Sequence, residues 1–133
     1  MIVVDTNVIA YLFITGKYTK SAEILLKKDS HWVAPRLWRS EFRNVLTLYI
    51  RQGSMKIDNA RFLISEAEKL MAENEYEINS DKILEMVQVS NCSAYDCEFV
   101  ALAHETNLPL YTTDRKLLNE FPKITTDLRT ISQ

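Results

Sequence analysis

The sequence predicts an α/β fold, a three-layer α/β/α sandwich with a central parallel sheet, built as one domain over 1–133. Two short apolar runs, Met1-Ile-Val-Val and Pro109-Leu-Tyr-Thr-Thr, each end in an acid and pass directly into a helical pattern. Helical patterns separate the apolar runs, as crossovers between parallel strands require. Two glycines and three prolines argue against long flexible linkers, and 133 residues bury enough core to fold without disulfides or a structural metal.

The elements follow in order. The β-branched run predicts a strand over 2–5, and Val8, Ile9, Leu12 and Phe13 recur at helical spacing within a helix over 7–14. A helix over 19–28 and a strand over 31–34 come next. In the helix over 36–51, Leu37, Trp38, Phe42, Val45, Leu46, Leu48 and Tyr49 fill one arc, and Arg36, Arg39, Ser40, Arg43, Asn44, Thr47 and Arg51 fill the other. Gly53-Ser54 turns the chain into a helix over 57–73. The acids Glu66, Glu68, Glu73, Glu75 and Glu77 read as a solvated face. A short strand near 76–79, helices over 81–90 and 94–106, a strand over 109–112, a helix over 115–120 stopped by Pro122 and a final strand near 124–130 complete the chain.

Four acids stand out by position. Asp5 and Asp114 lie where apolar runs end, at the sheet edge where α/β proteins bind ligands, and both also suit a helix N-cap. Glu41 falls inside the apolar arc of its helix, where it is either a site residue or a snorkelling edge acid. Asp96 has Phe99, Val100 and Ala103 around it on the helical wheel, whereas Glu98 and Glu105 project to the opposite side; Ser93-x-x-Asp96 also matches a capping box. Carboxylates placed where a core is expected are costly unless a cation or a set of hydrogen bonds compensates them. Parallel strands share one carboxyl edge, so the acids of neighbouring strands converge. Hard oxygen ligands of this kind suit Mg²⁺ or Mn²⁺, whose charge supports hydrolysis of a phosphodiester bond.

Val-Val-Asp5-Thr-Asn-Val, Arg-Ser-Glu41-Phe, Ala-Tyr-Asp96-Cys-Glu-Phe-Val-Ala-Leu-Ala and Tyr-Thr-Thr-Asp114-Arg-Lys resemble, in order and in spacing, the four motifs of PIN domains. The likeness is greatest to the compact VapC-type toxins of prokaryotic toxin–antitoxin pairs, which are metal-dependent endoribonucleases. It implies metal ligation and catalysis by Asp5, Glu41, Asp96 and Asp114, with Thr6, Asn7 and Thr112 assisting from behind them. It also implies an antitoxin that blocks the pocket with an extended segment, whose Arg or Lys competes for the carboxylates. A homodimer through apolar residues of the early helices is expected too. Many relatives carry a further acid where this chain has Leu117 and Leu118, so one tightly held ion is expected, with a second arriving with RNA.

Net charge of −2 and a pI near 5.7 speak against a nucleic-acid binder on totals alone. Distribution overrides the total if Arg36, Arg39, Arg43, Arg115 and Lys116 form a positive rim that holds RNA phosphates. No apolar run reaches membrane-spanning length, and the first residues already belong to a strand pattern, so a cytoplasmic chain without a signal peptide or a membrane partner is expected. Cys92 and Cys97 are expected to be reduced. Two rival readings stay open: a catalytically silent interaction module on the same fold, and a phosphoacceptor receiver-like domain. The receiver wants paired acids at the first strand end and a late Lys, where this chain has Thr6 and Arg115.

Overall fold

The computed structural model describes residues 1–132. Five strands, β1 (Ile2–Val4), β2 (Trp32–Pro35), β3 (Glu75–Tyr76), β4 (Leu110–Thr112) and β5 (Thr125–Asp127), form one sheet in the order β3-β2-β1-β4-β5. Every pairing is parallel, with Val3 opposite Val33 on one side and Leu110 on the other. The central position explains the run Ile2-Val3-Val4: a strand covered on both faces has no solvent side and needs no alternation. From β1 the chain builds outward through β2 to β3, then returns to add β4 and β5 on the other side. The strand order therefore reverses beside β1, and the crevice above the carboxyl ends of β1 and β4 is the place where such sheets bind ligands.

Helices cover the sheet: α1 (Thr6–Phe13), α2 (Thr19–Lys28), α3 (Trp38–Arg51), α4 (Ile57–Met71), α5 (Ser80–Gln88), α6 (Ala94–Thr106) and α7 (Arg115–Glu120). The helix α6 lies across β1, β2 and β4 with α5 packed on it, while α1, α3 and α4 pack together and α4 rests on β2. Trp32, Trp38, Phe42, Phe99 and Ile9 are among the largest fully buried side chains. Both buried indoles satisfy their N–H groups, Trp32 on Asp29 O at 2.9 Å and Trp38 on Glu75 Oε2 at 2.8 Å. Asn107, at φ 55°, ends α6 by letting Leu108 N–H bond back to Ala103 O at 3.0 Å.

Most element ends lie within two residues of the sequence expectation, the usual scatter of fraying termini. Three differences have causes. The third helix starts at Trp38 and not at 36, because Pro35 lies in β2 and Arg36 N–H bonds to Tyr76 O, prolonging the sheet ladder. Leu48 and Tyr49 are exposed despite their place on the apolar arc, whereas Val45, Leu46 and Ile50 carry the packing of that end of α3 against the core. The final strand stops at Asp127, whose carboxylate accepts from Arg129 N–H and starts a 3₁₀ helix, Leu128–Thr130. Cys92 and Cys97 are buried free thiols, and no described helix is long and apolar enough to cross a membrane.

Candidate active site

Asp5 follows β1 and caps α1, accepting Thr6 N–H on Oδ1 at 2.8 Å. Its Oδ2 accepts the hydroxyl of Thr112, the fully buried last residue of β4, at 2.7 Å. The same Thr112 oxygen accepts Asp114 N–H at 3.0 Å, so one hydroxyl ties together the acids of two adjacent strand ends. Asp114 caps α7, receiving Lys116 N–H at 2.8 Å and Leu117 N–H at 3.1 Å, both on Oδ1. Each strand-end acid is thus a cap and also faces the crevice. Asn7 directs Nδ2 toward Asp5 and Thr112 at 3.5 and 3.4 Å, while its buried Oδ1 has no partner.

Glu41 stands in the first turn of α3, half-buried, and accepts the Thr6 hydroxyl at 2.7 Å. Asp96 stands in the first turn of α6, whose N-cap Ser93 accepts Asp96 N–H at 3.1 Å. All four acids line one cavity of about 490 Å³. The N-terminal ends of α1, α3, α6 and α7 therefore meet there, and their partial positive charge favours carboxylates. Burial opposes them. It pushes Asp5 up from 3.8 to about 7, held back by the Thr112 hydrogen bond and helped by the charge of Glu41. Glu41 and Asp96 are also raised, each first by burial; beyond burial, the charges of Asp96 and Glu98 raise Glu41, and that of Asp114 raises Asp96.

The chain and its fold both have relatives among known proteins. The family model of the PIN domain matches residues 2–124. The chain belongs to the PIN domain family. Ribonuclease VapC3 of Pyrobaculum aerophilum is similar to it, 26% identical over 129 residues covering 94% of this chain and 98% of the relative. Among solved structures, FitAcB from Neisseria gonorrhoeae superposes with a TM-score of 0.78 at 14% identity, over 98% of this chain and 100% of that one. A toxin–antitoxin complex from Klebsiella pneumoniae does so with a TM-score of 0.67 at 17% identity, over 98% and 100% of the two chains.

Around the acids of this PIN domain, the basic residues divide. Arg36 and Arg43 are exposed and line a second cavity of about 580 Å³, which shares Leu37 and Ser40 with the first. Arg115 and Lys116 are exposed at the start of α7. Arg39, expected in the positive rim, lines the second cavity too, but its guanidinium is already paired: it grips Glu75 with two hydrogen bonds at 2.6 and 2.8 Å and pairs with Glu68. Glu75, expected on a solvated face, has a side chain only 9% exposed, and Arg39 holds its carboxyl below the usual range. The partners of that ion pair lie on α3 and on β3, brought together by sheet pairing that no local pattern encodes.

Glu98 also departs from expectation. It is half-buried, lines the second cavity with Arg36 and Arg43, and is raised by burial. The wheel misplaced it because α6 is buried on nearly all sides, at Cys97 and from Phe99 to Ala103, so the helix has no clean polar face until His104 and Glu105. Sequence reasoning passed over Tyr95, Asn44, Leu37 and Val45, all in the wall of the acidic cavity. A large aromatic beside a singled-out acid was the available signal. No three His, Cys, Asp or Glu side chains are arranged to enclose an ion among the described residues. The donor set nevertheless fits a hard cation: four carboxylates in one cavity, no histidine or thiol among its walls, and the orphaned oxygen of Asn7 beside Asp5.

Proposed function

We propose that this PIN domain is a divalent-metal-dependent endoribonuclease and the toxin of a toxin–antitoxin pair. The observation that carries the reading is the meeting of four carboxylates, each at a helix N-terminus, in one cavity beside the strand-order reversal. Burial raises the pKa values of Asp5, Glu41 and Asp96, and a cation among them would offset that cost. Asp5, Glu41, Asp96 and Asp114 would hold Mg²⁺, or Mn²⁺, which when bound supplies the positive charge that activates water and offsets charge on the phosphoryl oxygens. Thr112 and Thr6 fix Asp5 and Glu41 in orientation, and Asn7 stands behind them. Leu117, one of the two leucines where the resemblance implies a further acid, is fully buried and has no ligand atom, which supports one ion in the free protein. Arg36, Arg43, Arg115 and Lys116 are proposed to hold RNA phosphates by charge; Arg39 acts in holding the fold.

The ribonuclease relative, matched over nearly its whole length, supports RNA as substrate. The Klebsiella complex supports an antitoxin partner. A homodimer through the early helices, with exposed Leu48 and Tyr49 on the neighbouring α3, and a cytoplasmic location complete the proposal. The test is incubation with total cellular RNA, with Mg²⁺ or with chelator, followed by mapping of new ends. Cleavage should require the ion, and Asp96→Asn should lower it by about a hundredfold or more while the protein stays folded. Cleavage in chelator, or undiminished cleavage by Asp96→Asn, would overturn the assignment.

A further inference from the structure

The acidic cavity has one wall that its carboxylates do not explain. Tyr95, directly before Asp96, is 65% exposed and lines the cavity. Its ring belongs to no core cluster, no aromatic pair and no side-chain hydrogen bond among the described residues. Other exposed apolar side chains, such as Leu48, Phe62 and Val89, lie outside this cavity. Across the cavity stand Leu37, the N-cap of α3, and Val45 within it, four residues to either side of Glu41, together with the exposed amide of Asn44. An acid centre thus has an apolar wall, an unsupported aromatic ring and an amide at its mouth.

We infer that Tyr95 is a stacking platform that positions the base next to the scissile phosphate. The inference rests on the ribonuclease reading and adds a residue that positions its substrate. A nucleobase has two apolar faces and a polar edge; Tyr95 offers a face to stack on, Leu37 and Val45 an apolar wall, and Asn44 both donor and acceptor for the edge. The adjoining phosphate then falls toward the carboxylates, and the chain continues toward Arg36 and Arg43 across the shared Leu37 and Ser40. A base inside a duplex is already stacked on its neighbours and cannot be splayed onto the ring without disrupting the helix.

The test uses the bond that the wild-type protein cuts. A short unstructured RNA spanning that bond is made intact, annealed to its complement, and with an abasic ribose on either side of the bond in turn. Cleavage of each by wild type, Tyr95→Ala and Tyr95→Phe is then compared in Mg²⁺. Loss of the ring should cost about tenfold or more on intact RNA, and Tyr95→Phe should recover most of it. One abasic position should cost wild type a similar factor and cost Tyr95→Ala nothing further, and the duplex should resist cutting. Independent, multiplying losses from the Ala variant and the abasic site would overturn the inference, as would an Ala variant as fast as wild type. Those results leave the ribonuclease reading intact; only a wild-type protein that cuts no RNA removes both.

Discussion

Two acids at the start of α3, Glu41 on the helix and Glu75 held against it, have opposite chemistry. Glu75 meets Arg39 and the indole of Trp38, and its carboxyl is held low. Glu41, two residues along α3 from that arginine, meets a threonine hydroxyl and further carboxylates, and its carboxyl is pushed up. The first cluster is closed, its charges balanced by the chain itself. The second is open, with no Lys or Arg among the described residues that line its cavity. Sequence distance does not separate the two; the partners that the fold brings to each acid do.

The largest consequence is that the two clusters titrate in opposite directions. Asp5 rises from 3.8 to about 7 in the fold, so in chelator the native state binds the proton more tightly than the unfolded state does. Stability of the metal-free protein should therefore fall as pH rises from about 4 to 7, by up to roughly 4 kcal/mol from this group. Asp5→Asn should flatten that slope, and Mg²⁺ should offset the loss at pH above about 7 by binding the folded state alone. Glu75 is depressed, so its contribution is present above its unfolded pKa and disappears as pH falls through the lower folded value. Denaturant unfolding with and without chelator across this range checks both signs.

A smaller contrast separates the arginines. Arg39→Ala leaves Glu75 without its partner and should cost about 1–3 kcal/mol of stability. Its RNA-binding salt slope should not change. Arg36→Ala combined with Arg43→Ala should do the reverse, sparing stability while reducing the slope by about one per residue. A salt titration of binding beside an unfolding curve distinguishes them.

These contrasts mark how far the sequence could be read. Asp5 and Asp114 were legible because strand, acid and helix are consecutive, and capping is local physics. Glu41 was legible because it interrupts an apolar arc. The Thr112 hydroxyl that ties Asp5 to Asp114 spans 107 positions, and only the pairing of β1 with β4 produces it. The pairing of Arg39 with Glu75 was hidden for the same reason, since that partner arrives on β3 after the whole of α4. On α6, periodicity identified Asp96 but misplaced Glu98, because a helix buried on almost every side has no polar face to read. A neutral control for the four acids therefore cannot be Glu98, which shares a cavity with Arg36 and Arg43 and whose charge reaches Glu41; exposed Glu105 serves.

The open cluster is tested most directly by counting bound Mn²⁺ by electron paramagnetic resonance. The comparison runs over wild type, the amide variants of Asp5, Glu41, Asp96 and Asp114, and Glu105→Gln, with RNA cleavage followed on the same samples. The expected result is a single tightly held ion in wild type and in Glu105→Gln, weakened by each of the four amides, with cleavage falling in step. Retention of the ion in Glu41→Gln and Asp96→Asn, or RNA cleavage by protein that binds no ion, would contradict the account.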